Sequence, residues 1–509
     1  MRAWLVVAWV GGLAAASTAA RAATINVGPM DSYQKIEAAM PGDEVVIAPG
    51  TYKFRVHLTQ KAPANAPITI RAQDPKNPPV WDLTGTLVEN APGSYTAGDR
   101  GRGCWQLSGA TNIVIASVVF QGCRNGSNNS AGIRYYNGAS VTIRDAVFRL
   151  NDNGLTGGTQ DSTAVVEFSE FDRNGNLNAG APTHNIYIYG GTFTMRYSYL
   201  HDPVQAQNFH VRAHDALLEY NWFARAASYE GDLMTNDDCT MGPCTQNMLL
   251  RGNLILQGNP ANKSQVVAVY NDTGVSGVTM HLRMINNTAV LAFANSNLVH
   301  LSNADGTAMT AEMSNNLLSG GKPYLIENNG KGTATGTNNW MPTGTAPGSL
   351  TSSVFGMSPF KNAGAKDYTL AMGATAIGAA SNGPMGLPDR EYFQNETVAR
   401  MYRPRASVKD IGAFESTTTG NGIGPYDPQV PPQDGGVPID DGGVLPGSDG
   451  GGPNGDGGGN GDGGNNGDGG NGAAPAQGGC GCDASPTAGL FGWPAALAVL
   501  ALVRRRRRR

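Results

Sequence analysis

Short apolar strands of similar wording recur along the middle of the chain: NIVIASVVF, VTIRDAVF, VVEFSEF, FTMRYSYL, LLEYNWF, LLRGNLI, LRMINNTA and AEMSNNLL. They carry one apolar position in common, namely Phe120, Phe148, Phe171, Leu200, Phe223, Ile255, Ala289 and Leu318, at steps of 23 to 34 residues. Self-similarity at the length of one coil predicts a solenoid. Within each repeat apolar and polar residues alternate, Gly, Asn and Asp fall between repeats, and no helical period shows. A second series, Ile133, Leu155, Ile186, Phe209, Leu233, Val267 and Val299, keeps step with the first. An antiparallel sandwich also offers short strands, but about every 8 to 12 residues and joined by hairpins. Two series in step predict an all-β, right-handed parallel β-helix with three sheets. Asn221, Asn253, Asn287 and Asn316 share one slot of the repeat and are expected to stack as an amide ladder.

The flanks read differently. DSYQKIEAAMPGDEVVIAPGTY predicts a short N-terminal amphipathic helix capping the solenoid's open end, followed by a strand. From 340 to 409 the repeat loosens into segments expected to lie as edge strands and loops over the other end. Residues 1–22, with Arg2, an apolar stretch and Ala20-Arg21-Ala22, read as a secretory signal. The β-helix domain is therefore expected over 23–415. Residues 416–478 are a Gly/Asp/Asn/Pro linker too poor in apolar groups to order. In 479–509, Cys480 and Cys482 precede an apolar run to Val503 and six arginines, which predicts a transmembrane helix with its end held cytoplasmic. The expected location is export to the cell surface, anchored at the outer membrane.

Composition narrows the chemistry. The folded span holds Cys104, Cys123, Cys239 and Cys244, an even number that predicts disulfides Cys104–Cys123 and Cys239–Cys244 in an oxidising compartment. The chain has 36 basic and 40 acidic side chains. Without the terminal arginines and the linker aspartates the span is close to neutral, which argues against a nucleic-acid partner.

The wording PGDEVVIAPGTY, then APITIRAQDP, resembles the N-termini of bacterial right-handed β-helix proteins of the pectate-lyase-like superfamily. These include polysaccharide lyases of the alginate-lyase and chondroitinase B type. DIGAFE at 410–415 resembles the last strand of that group. HNIYIYGG, QNFHVRA and SYEGDLMTN resemble an uncharacterised bacterial β-helix family carrying H-N-I-Y, G-H-N-x-K-S-R-A and S-Y-E-I-D-L-P-N-G-G. Asn208, Arg212, Ala213, Tyr229, Glu230, Asp232 and Asn236 fall on its positions. His210 stands where that family has Lys, Ala206-Gln207 where it has Gly-His, and Asp237-Asp238 where it has Gly-Gly. The C-terminal pattern of linker, Cys480-Gly481-Cys482, apolar helix and arginines resembles myxobacterial surface-sorting signals. That resemblance implies a sorting protease and a lipid on Cys480 or Cys482.

Candidate chemistry follows from strand alternation. If Ile186, Ile188, Phe209 and Val211 point inward, then Tyr187, Tyr189, His210 and Arg212 point outward. Arg134, Tyr136 and Asp232 extend this face and His300 continues it. Aromatic rings, a guanidinium, an imidazole and a carboxylate suit sugars. The expected catalytic pair is His210 as base and Arg212 neutralising a uronate carboxylate, with Arg134, Tyr136, Tyr187, Tyr189 and Asp232 binding substrate. As outward groups, His210 and Arg212 are expected to contribute little to the core. Glu230, Asp232, Asp237 and Asp238 are candidate Ca²⁺ ligands, or paired carboxylates of a glycoside hydrolase. Two readings of function stand: a polysaccharide lyase on uronate-containing polymers, and a non-catalytic surface adhesin or carbohydrate-binding protein. The expected partners are polysaccharide, the membrane through the anchor, and the sorting protease, with the chain a monomer.

Overall fold

The computed structural model describes residues 22–94, 102–159, 161–258, 265–293, 296–302, 307–320, 324–328, 332–342, 349–393 and 400–427. The signal region, nearly all the linker, Cys480, Cys482, the apolar run and the terminal arginines lie outside the described residues. Among the described residues no helix is long and apolar enough to cross a membrane.

A complete coil contributes one strand to each of three parallel sheets, and the terminal coils lack some of them among the described residues. In one coil these are Ile186–Ile188, Thr192–Arg196 and Tyr199–His201. We call the thirteen-stranded sheet containing Thr192–Arg196 sheet I, the twelve-stranded one containing Tyr199–His201 sheet II, and the ten-stranded one containing Ile186–Ile188 sheet III. The winding is consistent with a right-handed β-helix, the hand that parallel crossovers adopt.

The repeated apolar positions do what their period predicts. Phe120, Phe148, Phe171, Leu200, Phe223, Ile255, Ala289 and Leu318 pair one above the next along sheet II. All eight are fully buried. Phe120, Phe148 and Phe171 stack face to face with centroids 5.1 and 4.6 Å apart. The second series runs along sheet III with one slip. Phe209 pairs with Gly231, and Leu233 pairs with Val211. Gly231 is required there, since a Cβ would sit 1.9 Å from the Phe209 ring.

The corner between sheets I and II is a tight turn through left-handed residues such as Tyr197, Tyr220, Asn286 and Asn315, at φ 52° to 57°. The residue after each feeds a ladder. Asn221 Nδ2 donates to Asn253 Oδ1 at 3.1 Å, Asn253 to Asn287 at 2.9 Å, Asn287 to Asn316 at 3.0 Å, and Asn316 to Asn339 at 3.1 Å. These amides are wholly buried and pair within the turn, so the corner leaves few backbone groups unsatisfied.

Two flanks differ from expectation. At the N-terminus one helical turn, Gln34–Glu37, buries Ile36 against the strands Thr24–Val27 and Val56–Leu58. The segment after Leu350 folds back along the coils it follows. Phe360, Tyr368, Leu370, Tyr392, Ile411 and Phe414 pack on Tyr199, Trp222, Leu254, Leu317 and Trp340, the apolar outer side of sheet II. DIGAFE is no strand: Gly412 N donates to Asn315 O and Ala413 N to Thr288 Oγ1. The described chain also continues beyond Glu415. There Arg144 donates to Pro425 O at 2.8 Å and Tyr426 contacts Ser117. Outward apolar residues on sheet II made this return necessary, because left in water they would be a large exposed patch.

Candidate functional site on sheet III

The outer face of sheet III carries the predicted row in register. Arg134 pairs with Thr156, Thr156 with Tyr187, Tyr187 with His210, His210 with Asp232, Asp232 with Ala268, and Ala268 with His300. Ile186, Ile188, Phe209 and Val211 are fully buried on the inner side, so the strand phase is as expected. Tyr136, Tyr187, Tyr189 and Arg134 are half-buried and face outward. The Arg134 guanidinium lies 4.5 Å over the Tyr136 ring, and Tyr187 meets Tyr189 edge to face at 4.5 Å.

His210 and Arg212 correct the expectation that outward means exposed. They are 4 % and 3 % exposed, and Asp232 is wholly buried. Arg212 Nε donates to His210 Nε2 at 3.0 Å. His210 Nδ1 then carries the proton and donates to Asp232 Oδ2 at 3.2 Å, a tautomer assigned from these partners. Arg212 also donates to Thr235 O at 2.9 Å and to both carboxylate oxygens of Asp272, and pairs with Asp237 at 3.0 Å. His184 stacks on His210 at 4.7 Å and Tyr187 meets it edge-on at 4.5 Å. Burial holds both imidazoles well below their usual range, and the Arg212 charge adds to this at His210. Burial pushes Asp232 up to about 7. His210 is therefore a neutral ring with both nitrogens engaged, and Arg212 a guanidinium already neutralised.

The four expected metal ligands do not form one group. Glu230 points into the solenoid wall, where it accepts from Asn208 Nδ2 at 2.7 Å and from the amides of Ala226 and Gly258 at 2.9 Å. Asp232 belongs to His210, Asp237 pairs with Arg212, and Asp238 lies beside Gly190. Among the described residues one set of carboxylates and imidazole comes within reach of a single ion: Asp172, His201 and Asp202 on sheet II. Its members are mutually engaged, His201 with Asp202 at 2.8 Å, Asp172 with Arg173 and Asp202 with Arg225.

Both predicted disulfides are present, with Cα–Cα distances of 5.7 Å for Cys104–Cys123 and 6.1 Å for Cys239–Cys244. The second closes the Thr240–Pro243 loop directly after Asp237 and Asp238. Sequence reasoning missed Gln207 and Asp272 and undervalued His184. The signal for the first and last was available: His184 and Gln207 are offset by 23 residues, as are Ile186 and Phe209. Asp272 lies in a turn after the strand Gln265–Tyr270 and had no periodic signal. A separate groove of about 250 Å³, lined by Asn247, His281, Arg283 and Glu312, opens on sheet I and holds none of the predicted residues.

No family model and no curated protein matches the chain. Solved structures do. An alginate lyase from Paenibacillus sp. str. FPU-7 is similar at 17 % identity and TM-score 0.44, over 65 % of this chain and 99 % of that one. Pectate lyase Pel9A is similar at 13 % identity and TM-score 0.45, over 77 % and 96 %. A rhamnogalacturonan lyase is similar at 14 % identity and TM-score 0.40, over 62 % and 87 %. Likeness of this degree carries no functional argument, and the sheet pairing above stands without it.

Proposed function

We propose that this is an exported β-helix protein that binds polysaccharide on the outer face of sheet III, without cleaving it. One observation carries the reading. The half-buried rings of Tyr136, Tyr187 and Tyr189 and the Arg134 guanidinium line the face, while the groups that would do chemistry beneath them are bound to one another. Flat rings stack on sugar faces, and a general base needs a free lone pair that His210 Nε2 does not offer. Export and surface attachment rest on the signal-like and arginine-ended termini.

One observation favours a lyase instead. Asp232, pushed up to about 7, and His210 are the kind of environment-shifted pair that acid–base catalysis uses. The full-length protein, tested against acidic and neutral polysaccharides, separates the two. Retardation in affinity gels without new reducing ends or unsaturated-product absorbance, with or without Ca²⁺, is the expected result. Product release from any polymer overturns it.

A further inference from the structure

Beneath Tyr187 the buried wall holds polar atoms that have neighbours but no well-aligned hydrogen-bond partner. Asp232 Oδ1, Gln207 Oε1 and His184 Nδ1 lack hydrogen-bond partners, although Asp232 is wholly buried and Gln207 and His184 are 6 % and 3 % exposed. They belong to one cluster. Gln207 Nε2 donates to Asp232 Oδ2 at 3.1 Å, and the His184 ring stacks on His210, whose Nδ1 faces Asp232. Asp232 Oδ1 lies 2.9 Å from His210 Nδ1 but outside hydrogen-bonding alignment, the proton being directed at Oδ2. Three such atoms in one patch mark a place built for a ligand, since each unsatisfied buried group otherwise costs free energy.

The polarity of the atoms says what the ligand offers. Because Gln207 Nε2 is committed to Asp232, the amide orientation is fixed and Oε1 is an acceptor. Asp232 Oδ1 is an acceptor as well once the carboxyl is ionised, above about pH 7, where the titrations below are run, and the neutral His184 ring serves in either sense. The ligand must therefore donate. A carboxylate or sulfate does not fit, because the nearest cation is used up. Arg212 spends its donors on His210, Thr235 and Asp272 and pairs with Asp237, so Asp232, Asp237 and Asp272 outnumber it. A hard cation wants several oxygens and would meet two here, beside a guanidinium.

We propose that this patch is a subsite for a neutral, hydroxyl-rich sugar residue, whose adjacent hydroxyls donate to Asp232 Oδ1 and Gln207 Oε1 beside the Tyr187 ring. The proposal rests on the reading of sheet III as a carbohydrate face and narrows it: the polymer presents an uncharged unit here, where a uronate would be rejected.

The test is titration of full-length protein with hexasaccharides of a neutral glucan, a galactomannan, alginate and polygalacturonate, for wild type and Gln207→Met. Melting temperature and circular dichroism report whether the variant is folded, and Asp232→Asn serves if it is not. Binding of a neutral oligosaccharide, weakened about tenfold or more in the folded variant, is expected. Binding of only the uronate oligomers overturns the subsite and leaves the polysaccharide-binding reading standing. Binding of none removes both. Neutral binding that is unchanged in the variants, or a crystal soak showing only an ordered water at Asp232 Oδ1, also overturns the subsite.

Discussion

Asn208 Nδ2 donates to Glu230 Oε2 at 2.7 Å, and this bond ends a column of buried amides that begins at Asn151. Asn151 donates to Asn174, Asn174 to Asn185 and Asn185 to Asn208, each Nδ2 to the next Oδ1 at 2.7 to 2.9 Å. A column passing donors in one direction needs an end that only accepts. Glu230 meets that need, taking the Ala226 and Gly258 amides on its other oxygen. In Glu230→Gln either orientation of the new amide puts its NH₂ against a donor. At pH 8, where Glu230 is ionised, we expect a loss of about 1–3 kcal/mol in urea unfolding. Wild-type stability in that variant would show that the column does not need a carboxylate.

The same burial makes stability fall as pH rises. Burial pushes Glu230 and Asp232 up to about 7, from ordinary values near 4. Between about pH 4 and 7 the unfolded chain has released protons that the folded chain still holds, so raising pH favours unfolding. Their contribution is complete below about pH 4 and lost by the time pH passes 7. For Glu230 the shift corresponds to roughly 3 kcal/mol. His184 and His210, buried neutral, act in the opposite sense below about pH 6.5, so the carboxyl effect is read by difference: the change in stability from pH 5 to pH 8 should shift towards a gain in Glu230→Gln relative to wild type. An equal slope in that variant assigns the effect elsewhere.

Arg212→Ala should be costly although the position faces away from the core. It would remove the cation that Asp272 faces and leave His210 Nε2 unbonded in a site 3 % exposed. Removing one partner of a buried pair costs about 3–5 kcal/mol. Arg134→Ala, half-buried on the same face, should stay within about 0.5 kcal/mol. Equal melting temperatures for the two variants would mean that Arg212 is more accessible than its contacts imply.

The sheet architecture was readable because one coil is one period, and a Phe or Asn at that period has a single structural explanation. Phe148 and Asn253 could be placed by counting. The outward row could also be placed, but its burial could not. Alternation says which side of a sheet a residue faces, and is silent on whether a loop from another coil covers it. Asp272 reaches Arg212 from 60 residues away. Trp222, Leu254 and Trp340 were legible as apolar, yet only their position on the outer side of sheet II reveals why the chain after Leu350 returns over them. Glu230 read as a surface ligand because it is charged and near aspartates, and nothing local shows that it faces the amide column.

Gly231 gives the sharpest test of the register in sheet III. It pairs with Phe209, whose ring fills the space a side chain at 231 would occupy: a Cβ would lie 1.9 to 2.3 Å from three ring carbons. The ring itself is held against Phe223 at 4.8 Å and cannot swing into solvent, since Phe209 is fully buried. Gly231→Ala should therefore destabilise by about 1–3 kcal/mol through overpacking. Phe209→Ala should cost about 3–5 kcal/mol through the cavity it leaves. Combined, the two should cost less than their sum by about 0.5–3 kcal/mol, because the new methyl enters the space the ring vacates. Strict additivity in urea unfolding would place residues 209 and 231 apart, and would require the two-residue slip that sets Leu233 on Val211 to be abandoned.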